Sequence, residues 1–216
     1  MRIVLFGATG NVGQRVAAEA LRRGHDVIGV VRDPAAVTPP DSRVRMVQGD
    51  ATKADDVAKV ARGADAVVSA ISPRPNSRGL PAPSLAANSR AVIAGVRQAG
   101  VKRVLYVGGA SSLEVAPGKQ LADMPDFPEI YRAEAREGRD ALDVWRNEGK
   151  GLDWTYLSPA AEIAPGERSG RYRTTDDALL VDEKGRSFIT FEDYAVAVLD
   201  ELEHPRHVGR RFGVAY

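Results

Sequence analysis

The chain contains no cysteine among its 216 residues, which excludes a disulfide framework, a thiolate metal site and thiol catalysis. That absence fits a reducing cytoplasm, the expected location. Histidine is scarce too: His25 opens the second strand at its far end, and His204 and His207 lie in the last residues of the chain, so none is placed as a general acid. Neither charge sign is in excess, because 30 Lys+Arg against 29 Asp+Glu leave a net +1. With no global field, neither nucleic acid nor an anionic membrane is expected as a partner, and any anion must be held by a local site. No apolar run approaches the roughly 18 residues of a membrane helix. The opening MRIVLFGATG offers only four apolar residues before a glycine, too few for an export signal, and reads as a buried strand. No cluster of ligating side chains points to a metal.

What is present is ordinary globular material: 44% hydrophobic, 27% charged and 6% aromatic residues, enough to bury one core. Short apolar runs at 3–6, 27–31, 44–47, 66–68, 104–107 and 154–157 recur between amphipathic stretches. Continuous β-branched runs are the mark of parallel strands covered by helices on both faces. Helical spacing is read at 12–23, where Arg22 and Arg23 fill the last turn before Gly24, and again at 55–61, 85–99 and 128–147. The alternation predicts an α/β fold, a doubly wound parallel sheet whose order begins 3-2-1-4-5. One domain is expected over 1–216, with 159–216 adding a small α/β cap on the substrate side. Within that cap, 179–181 and 187–189 read as a hairpin about Asp182-Glu183-Lys184-Gly185. Thr190 to Asp193 reads as a capping box opening a last helix. The proline-rich stretch 72–84 reads as a loop or lid across the end of the fourth strand.

The strongest chemical signal is GATGNVG between the first strand and the first helix. A diphosphate can sit on a helix N-terminus only where the backbone turns sharply and carries no side chains in the way. Gly7, Thr9, Gly10, Asn11, Val12 and Gly13 are therefore the candidate phosphate-binding residues, although the glycines are spaced three and three, unlike the simple GxGxxG. At the end of the second strand Arg32 precedes Asp33. An arginine there pairs with the 2′-phosphate of NADP and a carboxylate with the 2′-hydroxyl of NAD, so NADP(H) is the expected cofactor and NAD(H) the alternative. Asp50, with Ala51 after it, is placed to accept from an adenine amino group or else to cap the next helix. Ala70, Ile71 and Ser72 follow the fourth strand at the switch point, Gly108 and Gly109 follow the fifth, and Pro159 and Ala160 follow the sixth, on the rim expected to face the nicotinamide. Arg168, Arg171 and Arg173 are read either as an anion-holding group for the acceptor or as a solvated basic rim.

GATGNVG, VVRDP, GDATKADDV and GVKRVLYVGGASSLE together resemble the atypical short-chain dehydrogenase/reductase group with a Rossmann domain. LSPAAEIAPGERSGRYR, DYAVAVLDELE and RFGVAY are similar to the NADH-flavin reductase branch, relatives of biliverdin reductase B and NmrA-like proteins. The resemblance runs over essentially the whole chain and implies the fold, a cytoplasmic location and NAD(P)H binding. It implies the reaction less firmly, because the group holds reductases, isomerases and cofactor sensors.

Dehydrogenases of the wider family carry a serine after the fifth strand and a Tyr-x-x-x-Lys on the next helix. Here Ser111 and Ser112 follow the strand and are the candidate catalytic residues, but Tyr131 is followed four residues on by Ala135. Ketone reduction needs a positioned acid, whereas a flavin or quinone delocalises the charge and takes its proton later. The expected function is thus an NAD(P)H-dependent oxidoreductase acting on a small-molecule acceptor, flavin-like or quinone-like, with flavin as substrate. A non-catalytic NADP(H) sensor is the alternative, a sugar epimerase or dehydratase is disfavoured, and a homodimer is left open.

Overall fold

The protein is described by a computed structural model covering residues 1–73 and 84–216. Most of the expected loop at 72–84 thus lies outside the described residues. The strands are β1 Arg2–Phe6, β2 Asp26–Val31, β3 Arg45–Gln48, β4 Ala66–Ser69, β5 Arg103–Val107, β6 Glu114–Ala116, β7 Lys119–Gln120, β8 Asp153–Ser158, β9 Glu162–Ala164, β10 Arg173–Thr175, β11 Phe188–Thr190 and β12 Arg210–Ala215. The α-helices are α1 Asn11–Arg22, α2 Ala54–Ala61, α3 Leu85–Ala99, α4 Arg132–Glu148 and α5 Phe191–Glu203.

Eight strands form one sheet in the order β3-β2-β1-β4-β5-β8-β12-β10, parallel except for β10, which runs against β12. The predicted order 3-2-1-4-5 is present. The sequence reading stopped at six strands and missed β12, whose short alternating run holds buried Phe212 and Val214 beside a buried arginine. Alternation along each strand splits the core. Ile3 and Leu5 join Leu105, Leu157 and Phe212 beneath α1 and α5, while Val4 and Phe6 join Val67, Val104 and Tyr156 beneath α2, α3 and α4. Each such aliphatic side chain contributes roughly 1.5–3 kcal/mol on burial.

Two readings of the cap need correction. Residues 182–186 do make a tight turn, with the Asp182 amide donating to the Arg186 carbonyl at 2.9 Å, but no hairpin follows. β11 pairs instead with β9, in parallel, and Leu179 gives its amide to the Glu114 carbonyl at 2.7 Å. The capping box is half formed: the Thr190 hydroxyl accepts from the Asp193 amide at 3.1 Å. The reciprocal bond is missing because the Thr190 amide donates to the Tyr216 hydroxyl, while the buried Asp193 carboxylate accepts from the Ser169 hydroxyl, the Gly170 amide and the same Tyr216 hydroxyl.

The connection after β9 is pinned to α1 by charge. Glu19, only 4% exposed on α1, accepts from Arg22, Arg23 and Arg168. Burial acts against its ionisation, but the three guanidinium groups outweigh it and hold the carboxyl far below the usual carboxylate range. A depressed carboxyl contributes stability that is complete above the unfolded value near 4.3 and is lost as the pH falls toward the folded one. Glu19→Gln should therefore lower Tm at neutral pH and should flatten the acid limb of a Tm-against-pH curve between about pH 5 and pH 3. Parallel curves for the parent and the variant in that window would place the acid sensitivity elsewhere.

Candidate functional site

The C-terminal ends of β1, β2, β4, β5 and β8 share one edge of the sheet, and the residues singled out by sequence gather there. At its centre Gly7 turns with φ +79°, and a Cβ on it would stand 2.4 Å from the Ala70 carbonyl oxygen. A Cβ on Gly13 would lie 2.0 Å from the Gly7 oxygen, so α1 backs directly onto the turn. The Gly10 amide donates to that same oxygen at 3.0 Å and Gln14 Nε2 donates to the Thr9 carbonyl at 2.8 Å. Gly10 occupies the N-cap with no side-chain hydrogen bond, and the first turn, which begins Asn11-Val12-Gly13, carries no acidic residue. The arrangement leaves a positive helix end facing the edge, and it fits a diphosphate.

On the β2 side the two candidates for the ribose divide. The Asp33 carboxylate is turned onto its own backbone, accepting from the Ala35 amide at 3.1 Å and capping a short 3-10 turn. Arg32 is exposed, its carbonyl accepting from Gln48 at 3.2 Å, and its guanidinium has no ion-pair partner among the described residues. Asp50 is not the cap of α2, a place taken by Lys53. Its Oδ1 accepts from the amide and hydroxyl of Thr52 at 2.9 and 2.7 Å. Burial opposes ionisation, but these two bonds and the charges of Lys53 and Arg32 hold the Asp50 carboxyl below its ordinary value. Ala51 is buried behind it.

Sequence reasoning missed Asn88. It is fully buried on α3, donates from Nδ2 to the Ala51 carbonyl at 2.8 Å, and accepts from the Ser69 and Tyr106 hydroxyls at 3.4 and 3.3 Å. One amide thus ties the loop after β3 to the ends of β4 and β5, beside Ala70 and Ile71. An asparagine at the spacing of Leu85, Val92 and Val96 on an otherwise apolar face was the available signal.

Beyond β5, Gly108 packs on Tyr156 so tightly that a Cβ would lie 2.0 Å from the ring. Gly109 follows half-buried, and Ser111 faces α4 with its hydroxyl 3.4 Å from the Ala135 carbonyl. Ser112 corrects the expectation of two catalytic serines: it is 3% exposed and its hydroxyl accepts from Arg211 at 3.4 Å, inside the protein. Tyr156, whose hydroxyl donates to the Gly138 carbonyl at 3.0 Å, is pushed up to about 12 by burial. Pro159 and Ala160 are buried at the end of β8, and Ser72 lies exposed after β4. Of the three arginines in the cap, Arg168 is held by Glu19, Arg173 donates to the Val181 carbonyl at 2.8 Å, and Arg171 is exposed.

Residues 7–205 match the NAD(P)H-binding family. The chain belongs to that family. Solved structures of high similarity cover all of the chain. A protein from Burkholderia pseudomallei described as a "putative exported protein" is 45% identical, with the whole of that chain covered and a TM-score of 0.89. A "putative epimerase" from Bacteroides thetaiotaomicron is 41% identical over 96% of its length, with a TM-score of 0.87. A "putative NADH-flavin reductase" from Streptococcus pneumoniae is 31% identical over 99% of its length, with a TM-score of 0.81. The fold is accordingly an oxidoreductase-like Rossmann fold. Among the described residues no helix is long and apolar enough to cross a membrane.

The glycine contacts make a sharp pair of substitutions. Gly13→Ala drives a methyl group against a backbone oxygen and should cost about 1–3 kcal/mol, roughly 2–12 °C in Tm, with NADPH binding weakened at least about tenfold. Gly10→Ala, whose Cβ would lie 3.3 Å from the Gly7 oxygen, should be the milder of the two. Thermal melts and nicotinamide-fluorescence titrations that rank them the other way would show that the turn is not packed as described.

Proposed function

We propose that this protein is an NADPH-dependent reductase that passes hydride to a small flavin-like or quinone-like acceptor in the cytoplasm. The division between Arg32 and Asp33 carries the cofactor half of this reading. Asp33 spends its carboxylate on the Ala35 amide, which leaves Arg32 as the charged group at the end of β2 open to a 2′-phosphate. The amides at the start of α1 bind the diphosphate, and the second Asp50 oxygen and the Ala51 backbone meet the adenine. NADPH held along this edge would supply the hydride.

At the acceptor end the chain's own residues align and exclude rather than titrate. Ala70, Ile71, Pro159 and Ala160 give small or apolar walls that keep water from the transfer. Ser111 is the hydroxyl available to hold the acceptor or the carboxamide, being weakly engaged with Ala135. Of the 159–216 segment, β12 and β10 extend the main sheet and α5 covers it beside α1, which leaves β9, β11 and their connections as the substrate-side cap. Ala135 is buried at the place where the wider family carries its lysine, so the Tyr-x-x-x-Lys pair is absent from the start of α4. Acceptors that delocalise the incoming charge are favoured over simple ketones.

Consumption of NADPH with riboflavin or menadione, followed at the nicotinamide absorbance, tests the reaction. Binding of NADPH without turnover across a broad acceptor screen would replace the enzyme by a cofactor-responsive regulator. Arg32→Ala tests the cofactor: NADPH affinity should fall by about 1–3 kcal/mol, roughly 5- to 150-fold, while NADH affinity changes little. Asp33→Ala should leave NADPH affinity nearly unchanged, and equal losses for both cofactors in Arg32→Ala would remove Arg32 from the ribose site.

A further inference from the structure

Arg211 is a cation that neither the cofactor nor the acceptor reading uses. It sits on β12 opposite Tyr156 of β8 and is only 5% exposed. A guanidinium taken out of water has to be paired, and this one reaches two partners from different segments. Nε and Nη2 both donate to Asp177 Oδ1, Nε at 2.9 Å, and Nη1 donates to the Ser112 hydroxyl at 3.4 Å. Asp177 itself is 52% exposed, so the pair is anchored from the buried side.

The two segments that Arg211 joins are stitched together by backbone as well. Glu114 donates to the Asp177 carbonyl at 2.8 Å, and Leu179 donates to the Glu114 carbonyl at 2.7 Å. The far side of the same turn is held where Ala122 donates to the Ser111 carbonyl at 3.0 Å and Leu121 to the Leu113 carbonyl at 2.8 Å. Leu113 packs beneath, its Cδ2 standing 3.1 Å from where a Cβ on Gly213 would lie. Between these fixed flanks stands Ser111, whose own hydroxyl makes, among the described residues, only the long contact to Ala135. Its place relative to the sheet edge is set on one side by the Ala122 amide on its own carbonyl and on the other by its neighbour Ser112 and the residue that grips Ser112.

We infer that Arg211 is a positioning residue: through Ser112 and Asp177 it locks the turn at 110–114 to the last parallel strand and so fixes the Ser111 hydroxyl at the acceptor end. The inference rests on the reductase reading for the role of Ser111 and on the geometry alone for the lock. A guanidinium is suited to this because its planar fork serves a carboxylate and a hydroxyl at once, which an ammonium cannot do with the same reach. Misplacing a reacting group by about 1 Å is enough to slow a reaction up to about a hundredfold without touching the chemistry.

The test compares Arg211→Met, Ser112→Ala and Ser112→Thr with the parent by Tm, by NADPH titration, by turnover with menadione and by amide hydrogen exchange. Met keeps the length of the apolar stem, and Asp177, exposed and still 3.5 Å from Arg146, loses Arg211 without leaving a bare buried charge. Arg211→Met should lower kcat about tenfold, leave NADPH affinity within about twofold, and speed exchange at 110–114 and 177–179. Ser112→Thr should retain parental kcat where Ser112→Ala does not, and adding Arg211→Met to Ser111→Ala should cost no more than Ser111→Ala alone. Multiplying losses in that double variant, or an unchanged kcat in Arg211→Met of an active parent, overturns the assignment. A parent that binds NADPH but turns over no acceptor defeats the reductase reading instead. In that case faster exchange confined to 110–114 and 177–179 in Arg211→Met supports the lock, and unchanged exchange overturns it.

Discussion

The fold turns on one steric fact, the contact of α1 with the Gly7 carbonyl. With hydrogen in place of a Cβ at Gly13, the first turn of α1 closes to within van der Waals distance of the end of β1. Gly7, with its positive φ and its face against the Ala70 carbonyl, lets β1 and β4 end side by side. The open edge between them follows, because α1 comes after β1 on one face of the sheet and α3 comes after β4 on the other. A side chain at Gly13 would push α1 off the end of β1, and one at Gly7 would push the turn off Ala70 and Ile71, so the turn that presents the first amides of α1 would be lost. The anion site is thus a by-product of tight packing, and the near-neutral protein needs no excess of surface cations to make it.

Much of this was legible because it is local. Three glycines between an apolar run and an amphipathic helix specify the turn, and β-branched runs separated by helical spacing specify a covered parallel sheet. What escaped depends on contacts far apart in sequence. The 179–181 run reads as half of a hairpin, but Leu179 is taken by Glu114 and the facing strand by β9, and no spacing rule encodes partners 65 and 26 residues away. β12 was hidden for a related reason: a charged residue in a short run argues against a buried strand, and Arg211 is buried only because Asp177 and Ser112 receive it. Ser111 and Ser112 look equivalent on paper. Which of two adjacent serines faces the edge is decided by the partner of the other.

The placement of the aromatics shows how composition is deployed. Tyr106 and Tyr156 stack with ring centroids 5.4 Å apart and Trp145 leans on Tyr106 at 5.6 Å, so three rings gather under the ends of β5 and β8. Two glycines, Gly108 and Gly138, accommodate Tyr156, one beneath its ring and the other accepting from its hydroxyl. The rings are closely held under the ends of β5 and β8 for that reason, and Gly108 and Gly109 put no side chains above them.

That close packing bears on the proton as much as on alignment. Tyr106, Tyr156 and Tyr194 are all buried, each hydroxyl is committed to an acceptor inside the protein, and burial pushes all three above the ordinary phenol value. A phenol with a raised pKa and no path to solvent is a poor donor at neutral pH. Tyr131 is exposed at the start of α4, and Ala135 stands four residues on where the wider family has its lysine. A serine hydroxyl orients without giving up a proton at neutral pH. On the reductase reading proposed above, a site built this way favours acceptors by electron demand: rings that hold a negative charge until water protonates them suit it better than substrates that must gain their proton together with the hydride.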